Sequence, residues 1–310
     1  MLYASGLLLA GLVLLILGGE GVVRGGSSLA RRFHVQPFVV GATVVAFGTS
    51  APELAVTVTA AIRNEPGLAL GNVVGSNIAN LGLILGLAAI ITTIAMSRKQ
   101  VLRELPVVVG VLVMLVVFSL DQTIARWEGV ILLIGMLFVV FRTIYHARED
   151  AHGHTVDTQS SSKLVMAIAA MVGGLMALFF GGQLMVNGAV QIAEAWGMPQ
   201  WVIAVVIVAA GTSMPEVAAS VVAAARGHGE IALGNVIGSN TFNVLLVLGC
   251  GSVIRPIDVQ IDISLDLIVV SLFTLLPGIT LLMSSRVPRW TGGVLLLGYV
   301  SYIVVKLILP

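Results

Sequence analysis

The chain has 310 residues, of which 58% are hydrophobic and only 10% charged, and its net charge is +1. A soluble domain carries about 25% charge, so a soluble globular protein is excluded, and the near-neutral balance points to no nucleic-acid partner. The single cysteine, Cys250, excludes a disulfide framework.

Apolar runs of about 20 residues recur along the chain, the length a helix needs to cross a bilayer. Barrel strands would instead show alternating segments of about ten. Ten spans are predicted, at 2–24, 37–62, 68–95, 102–119, 126–145, 164–190, 200–225, 231–254, 263–284 and 290–309. The apolar run from Leu7 to Leu17 has no Lys or Arg before it, so it reads as a first span rather than a cleaved leader. The expected fold class is an all-α polytopic membrane protein. The sizeable polar connection is 146–163, containing Asp157-Thr-Gln-Ser-Ser-Ser, and it reads as a flexible cytoplasmic linker between residues 1–145 and 164–310.

Orientation follows from the basic residues of the loops. Arg24, Arg31, Arg32, Arg98, Lys99, Arg103, Arg142, Arg148, Lys163, Arg226, Arg286 and Arg289 fall on one side, and Arg63, Arg126, Arg255 and Lys306 on the other. Twelve against four puts both termini outside and the linker in the cytoplasm, with the chain in the cell (inner) membrane.

The two halves repeat at an offset of 163 residues, the separation of Glu53 from Glu216. Gly48-Thr49-Ser50-Ala51-Pro52-Glu53 returns as Gly211-Thr212-Ser213-Met214-Pro215-Glu216. Between 71–90 and 234–253, ten of twenty positions are identical, and the repeated segments extend over 41–90 and 204–253. Five spans per half is an odd number, so the second half is expected to enter the membrane inverted. Inverted repeats place a site near the midplane where interrupted helices meet.

Each copy carries a carboxylate at membrane depth, where a charge costs at least roughly 2.5–3.5 kcal/mol and marks a functional position by default. Pro52 and Pro215 lack an N–H and are expected to free the carbonyls of Gly48 and Gly211, which are hard oxygen ligands. Thr49 and Ser50 stand four and three residues before Glu53, so their hydroxyls are expected to share its helix face, as Thr212 and Ser213 do with Glu216. In the second repeated element, Ser76 and Asn80 are i,i+4 neighbours, and so are Ser239 and Asn243. Their duplication favours ligation, whereas Asn72, Asn77, Asn235 and Asn240 read as structural hydrogen-bonders. The absence of His and Cys from the motif argues against zinc or copper.

Outside the motif, Glu20 is expected to pair with Arg24 at i,i+4. His146, His152 and His154 read as solvated linker residues, and Asp258, Asp262 and Asp266 as a solvated start to the ninth span. No Gly-x-x-x-x-Gly-Lys-[Ser/Thr] run occurs, so no nucleotide is expected to drive the protein.

With these motifs assembled, the chain resembles the cation/calcium exchangers, and their sodium/calcium antiporter branch most closely. The resemblance covers essentially the whole chain and rests on GTSAPE with GNVVGSNIAN and on GTSMPE with GNVIGSNTFN. It implies ion ligands at Thr49, Ser50, Glu53, Ser76, Asn80, Thr212, Ser213, Glu216, Ser239 and Asn243, with backbone carbonyls at Ala46 and Ala209. It also implies alternating access, the first and sixth spans sliding across a more rigid core. Many relatives carry an aspartate at the position of Asn243, so this chain has two carboxylates where they have three. Two glutamates balance one Ca²⁺, whereas three Na⁺ would leave the site at +1.

The expected function is secondary antiport of Ca²⁺ against Na⁺ through one shared site. The expected partners are these two ions and the lipid bilayer, with no cofactor and no obligatory protein partner. Calcium/proton or K⁺-assisted exchange stays open as an alternative, as does a cation channel. An intramembrane enzyme would need a base beside Ser50 or Ser213, and the spans offer none.

Overall fold

The computed structural model describes residues 2–151, 161–198, 209–259 and 263–308. Helix α1 (Leu2–Arg32) outruns its predicted boundary by two turns. The extension is held because Gly25, Gly26, Ser27 and Ala30 are buried. The neighbour is α9 (Ser161–Ala195), and the two helices touch backbone to backbone. A Cβ added at Gly18 would lie 2.7 Å from Leu178 N, and one at Gly174 would lie 2.6 Å from Val22 N. Small residues allow this approach in lipid, where packing rather than water exclusion draws helices together.

The second predicted span is broken. It consists of α2 (Pro37–Val40), a π-helical turn at Gly41–Val45, α3 (Ala46–Thr49) and α4 (Ala51–Arg63), with a 45° bend at Ser50. Pro52 sits in the first turn of α4, where the missing N–H would have no helical partner anyway, so the break falls at Ser50 just before it. Next come α5 (Pro66–Ala79), a π turn at Asn80–Leu85 and α6 (Gly86–Ile91), then α7 (Arg98–Phe118) and α8 (Arg126–Ala151).

After α9, the described chain resumes with α10 (Ala209–Thr212) and α11 (Met214–Ala225), again separated by one serine, Ser213. Then follow α12 (Gly229–Phe242), a π turn at Asn243–Leu248, α13 (Gly249–Ile254), α14 (Ser264–Ser284) and α15 (Arg289–Ile308). Among the described residues, seven helices are long and apolar enough to cross a membrane, or eight when the bent pair counts as one span. The first part of the predicted span 200–225 lies outside the described residues. Of these seven, the α5–α6 and α12–α13 spans are the most enclosed.

Three expectations need correction. The predicted linker 146–163 is helical at both ends, because α8 runs to Ala151 and α9 begins at Ser161; residues 152–160, with His152 and His154, lie outside the described residues. His146 is a helical residue whose Nδ1 lies 3.1 Å from Glu149 Oε2. The fold is not wholly α. Ile94–Ala95 (β1) pairs antiparallel with Arg286–Val287 (β4), and Thr123–Ile124 (β2) with Ile257–Asp258 (β3). These residues connect helices in extended form, and pairing satisfies backbone groups that would otherwise lack partners. The two ribbons are related by exchanging the halves: Ile94↔Val287 becomes Ile124↔Ile257 at the 163-residue offset.

The third correction concerns Asp266, which is buried rather than solvated. Tyr302 Oη donates to it at 2.8 Å and Lys306 Nζ lies 3.0 Å away, so it ties α14 to α15. Asp258 remains exposed, and Asp262 lies outside the described residues. Asp266→Ala is expected to cost about 1–3 kcal/mol, since it leaves a half-buried ammonium and a phenol without their acceptor. Thermal melting of the detergent-solubilised protein measures this, with Asp258→Ala as the near-neutral comparison.

Candidate functional site

The two serine breaks bring the repeated motifs face to face. Ser50 Oγ donates to Glu216 Oε1 at 3.4 Å, and Ser213 Oγ donates to Glu53 Oε1 at 3.3 Å. Thr49 stands beside Glu216, and Thr212 stands beside Glu53. The expected sharing of one helix face within each copy is therefore corrected. Each helix breaks at the serine itself, which points across the interface and serves the opposite copy's carboxylate.

A second reciprocal pair sits where α5 and α12 pass into their π turns. Asn80 Nδ2 donates to Asn240 Oδ1 at 2.9 Å, and Asn243 Nδ2 donates to Asn77 Oδ1 at 3.1 Å. Asn80 and Asn243 are the first residues of those turns. A π turn shifts the hydrogen-bond register of its helix and recurs at functional positions.

A third pair braces the broken helices. Asn72 Nδ2 donates to Thr57 Oγ1 at 2.9 Å and to the Glu53 carbonyl at 3.0 Å. Its counterpart Asn235 donates to Ser220 Oγ at 3.0 Å and accepts from Thr49 Oγ1 at 3.3 Å. Thr57 and Ser220 were not singled out from sequence. They conserve a hydroxyl at the repeat offset, and that signal could have found them.

Burial then decides the chemistry. Glu53 and Glu216 are 1% and 2% exposed, and Thr49, Ser50, Ser76, Asn80, Ser213, Ser239 and Asn243 are buried too; Thr212 is half-buried. Ala46 is buried, and its carbonyl accepts from Ser50 N at 3.0 Å and faces Thr49 Oγ1 at 3.4 Å. Ala209 opens α10, and its backbone alone is described. Ser76 lies one turn before Asn80 on α5.

Seven buried side-chain polar atoms lack a hydrogen-bond partner among the described residues, and five belong to this set: Glu53 Oε2, Glu216 Oε2, Asn80 Oδ1, Asn243 Oδ1 and Ser239 Oγ. Four of the five can only accept, and an unsatisfied buried acceptor costs about 1–3 kcal/mol or more when charged. Two carboxylates and neutral oxygens make a donor set suited to a hard cation, which takes six to eight oxygens when it is Ca²⁺. Among the described residues, no group of three His, Cys, Asp or Glu side chains is placed to hold a metal.

A cleft of about 380 Å³ lies against the second break, lined by Pro52, Gln183, Val186, Asn187, Thr212 and Pro215 among others. Glu20 is bound away from the site. It pairs with Arg24 as expected, at 2.8 Å, and also with Arg226 at 2.8 Å, which links α1 to the end of α11.

A family model described as "Sodium/calcium exchanger protein" matches residues 3–145 and 166–308. The sodium/calcium exchanger MaX1 of Methanosarcina acetivorans is 32% identical over 96% of this chain and 97% of its own length. The inner membrane protein YrbG of Escherichia coli is 31% identical over 96% of this chain and 94% of its own. A solved structure of the sodium-calcium exchanger NCX_Mj, soaked with 10 mM Na⁺, superposes with a TM-score of 0.86 at 33% identity, covering 98% of each chain.

Proposed function

Because the chain belongs to the sodium/calcium exchanger protein family, and is thus a multi-pass membrane cation transporter and not an enzyme, we propose that it exchanges Ca²⁺ for Na⁺. The two ions use, alternately, one site formed by Thr49, Ser50, Glu53, Ser76, Asn80 and their repeat mates Thr212, Ser213, Glu216, Ser239 and Asn243, with the Ala46 and Ala209 carbonyls. The observation that carries this is the convergence of unpartnered buried acceptor oxygens on both glutamates and both asparagines. Either cation supplies the positive charge they need. Because the same oxygens must serve both, Na⁺ and Ca²⁺ compete, and competition at one site that faces each side in turn is what couples their fluxes.

The halves are two inverted five-helix repeats, ten spans in all. The support is reciprocity: the serine–glutamate, asparagine–asparagine and ribbon pairings each recur with the halves exchanged. The cleft past Gln183 and Asn187 is the route to the site from the side facing away from the linker, and α1 with α9 is the pair that slides to close it. The distribution of basic residues sets both termini outside the cell membrane and the central connection in the cytoplasm.

The test is ⁴⁵Ca²⁺ uptake into proteoliposomes loaded with Na⁺ and diluted into Na⁺-free buffer, with K⁺ and H⁺ gradients abolished. Uptake that requires internal Na⁺ is expected. Uptake driven by a pH gradient without Na⁺ would replace Na⁺ by H⁺ as the counter-ion. Current that persists without a counter-ion would make the protein a channel.

A further inference from the structure

The two repeats do not occupy equivalent positions in this structure. Helix α1 packs along α11, whereas among the described residues α9 has no comparable packing along α4, the counterpart contact at the 163-residue offset. A Cβ added at Gly19 would lie 2.8 Å from Val222, but one added at its repeat mate Gly182 would come no closer than 3.5 Å, to Pro215. The cleft of about 380 Å³ lies on the looser side, with Gln183 and Asn187 exposed. The tighter side carries an ion pair. Glu20 offers one carboxylate oxygen to Arg24 Nε and the other to Arg226 Nε, each at 2.8 Å, and its side chain is 19% exposed. Two turns further along α1, Ser27 Oγ meets the His228 ring at 3.4 Å, so α1 is tied to the end of α11 at two places. The repeat mates of Glu20, Arg24 and Arg226 are Gln183, Asn187 and Arg63. In the second set the carboxylate and one of the two cations are replaced by amides.

We propose that Glu20 is a positioning residue that sets which way the cation site faces at rest: bridging Arg24 to Arg226, it holds α1 docked on α11 and leaves the cleft beside Gln183 and Asn187 open. This inference rests on the reading that α1 and α9 slide together between two orientations. In the opposite orientation α9 docks on α4, and the residues brought together are a neutral amide, Gln183, and Arg63 at the end of α4. A charge-assisted bond between carboxylate and guanidinium is stronger than one between amide and guanidinium. The two orientations therefore differ by an interaction that only one of them contains, and a two-state equilibrium moves by that difference. The Ser27–His228 contact acts in the same direction. Its repeat mates are Val190 and Glu65, and a valine side chain offers no hydrogen bond in return. The sequence of the second half thus omits both ties that hold the first.

The experiment measures how fast a membrane-impermeant maleimide labels single cysteines in the whole protein in lipid nanodiscs, with the chain's one cysteine removed by Cys250→Ala. Asn187→Cys reports the open cleft, and Val23→Cys, at a position 2% exposed and the mate of the cleft residue Val186, reports opening on the other side. Glu20→Gln is expected to raise the labelling rate of Val23→Cys about three- to fivefold, the scale of one partly exposed ion pair, and to lower that of Asn187→Cys. Arg226→Gln is expected to do the same, and Arg226→Lys, which keeps the charge, to label as the parent does. Gln183→Glu gives α9 a carboxylate for Arg63 and is expected to shift both reporters in the direction of Glu20→Gln. Opposite changes at the two reporters separate reorientation from a loosened fold, which would raise both rates and overturn the proposal. If Na⁺ or Ca²⁺ moves the reporters in opposite directions but Glu20→Gln moves neither, the role of Glu20 is overturned and alternating access stands. If neither the ions nor the variants move them, alternating access fails and the proposal falls with it.

Discussion

Glu53→Gln is expected to lower Na⁺-driven Ca²⁺ uptake at least about a hundredfold, and Glu216→Gln to do the same, while the protein still folds. Glutamine keeps the shape of the side chain and an oxygen that can accept from Ser213 or Ser50, so the reciprocal contacts across the two breaks survive. What is lost is one of two negative charges facing a divalent ion in a site 1–2% exposed. Removing one charge from a buried, charge-matched set costs about 3–5 kcal/mol, which is a hundredfold or more in affinity. Affinity of oxygen sites for Ca²⁺ is likewise tuned by their charge count. Because the contacts are reciprocal, the two variants should fall by similar factors. Melting temperatures close to the wild type are expected, since the contacts across the two breaks are kept. Unchanged flux in both variants would sink the site assignment.

The second large effect is on folding. Gly234→Ala is expected to destabilise the protein by about 1–3 kcal/mol or more, although alanine in place of glycine ordinarily favours a helix by about 1 kcal/mol. The sign reverses because an added Cβ would stand 2.3 Å from Phe38 O and 2.9 Å from Ala42 N. The obstacle is backbone, so no rotamer change removes it. The same crossing is closed from the other side by Gly41, whose Cβ would lie 2.4 Å from Ile231 O. Forcing α12 away from the broken span would also displace Asn235, which joins Thr49 to Ser220. Lower thermal stability and weaker Ca²⁺ uptake should therefore appear together. Gly110→Ala is the comparison. It lies on the exposed side of α7 with nothing within 4 Å of the added Cβ among the described residues, and it should be neutral or mildly stabilising. A Gly234→Ala protein as stable as the wild type would show that this crossing is looser than its geometry implies.

Much of the candidate site was legible in advance for a physical reason. Lipid offers no partner to a charge, so Glu53 and Glu216 stood out against their apolar surroundings, and the 163-residue repeat identified the hydroxyls and amides that accompany them. That the chain crosses a bilayer was legible in the same way, because hydropathy reports the solvent each segment meets; which spans are most enclosed was not, since α5–α6 and α12–α13 are the least apolar of the seven. The break itself was legible to within two residues: proline fixed its vicinity, and its tolerated place in a first turn moved it to Ser50 and Ser213.

Pairing was not legible. Whether Ser50 serves Glu53 or Glu216 depends on a contact between residues 166 apart in the chain, and local spacing favoured the wrong partner. Asn80 meeting Asn240, Glu20 meeting Arg226 and Asp266 meeting Tyr302 are of the same kind. The helical extension of α1 to Arg32 and of α8 to Ala151 also escaped hydropathy, because packing and hydrogen bonding hold those turns outside the apolar run. By itself the sequence determined the solvent, the number of copies and the oxygens available, since each is a property of residue type and local order. Only the tertiary structure decided which oxygens face each other and which find no partner, because that depends on how two halves some 160 residues apart come together.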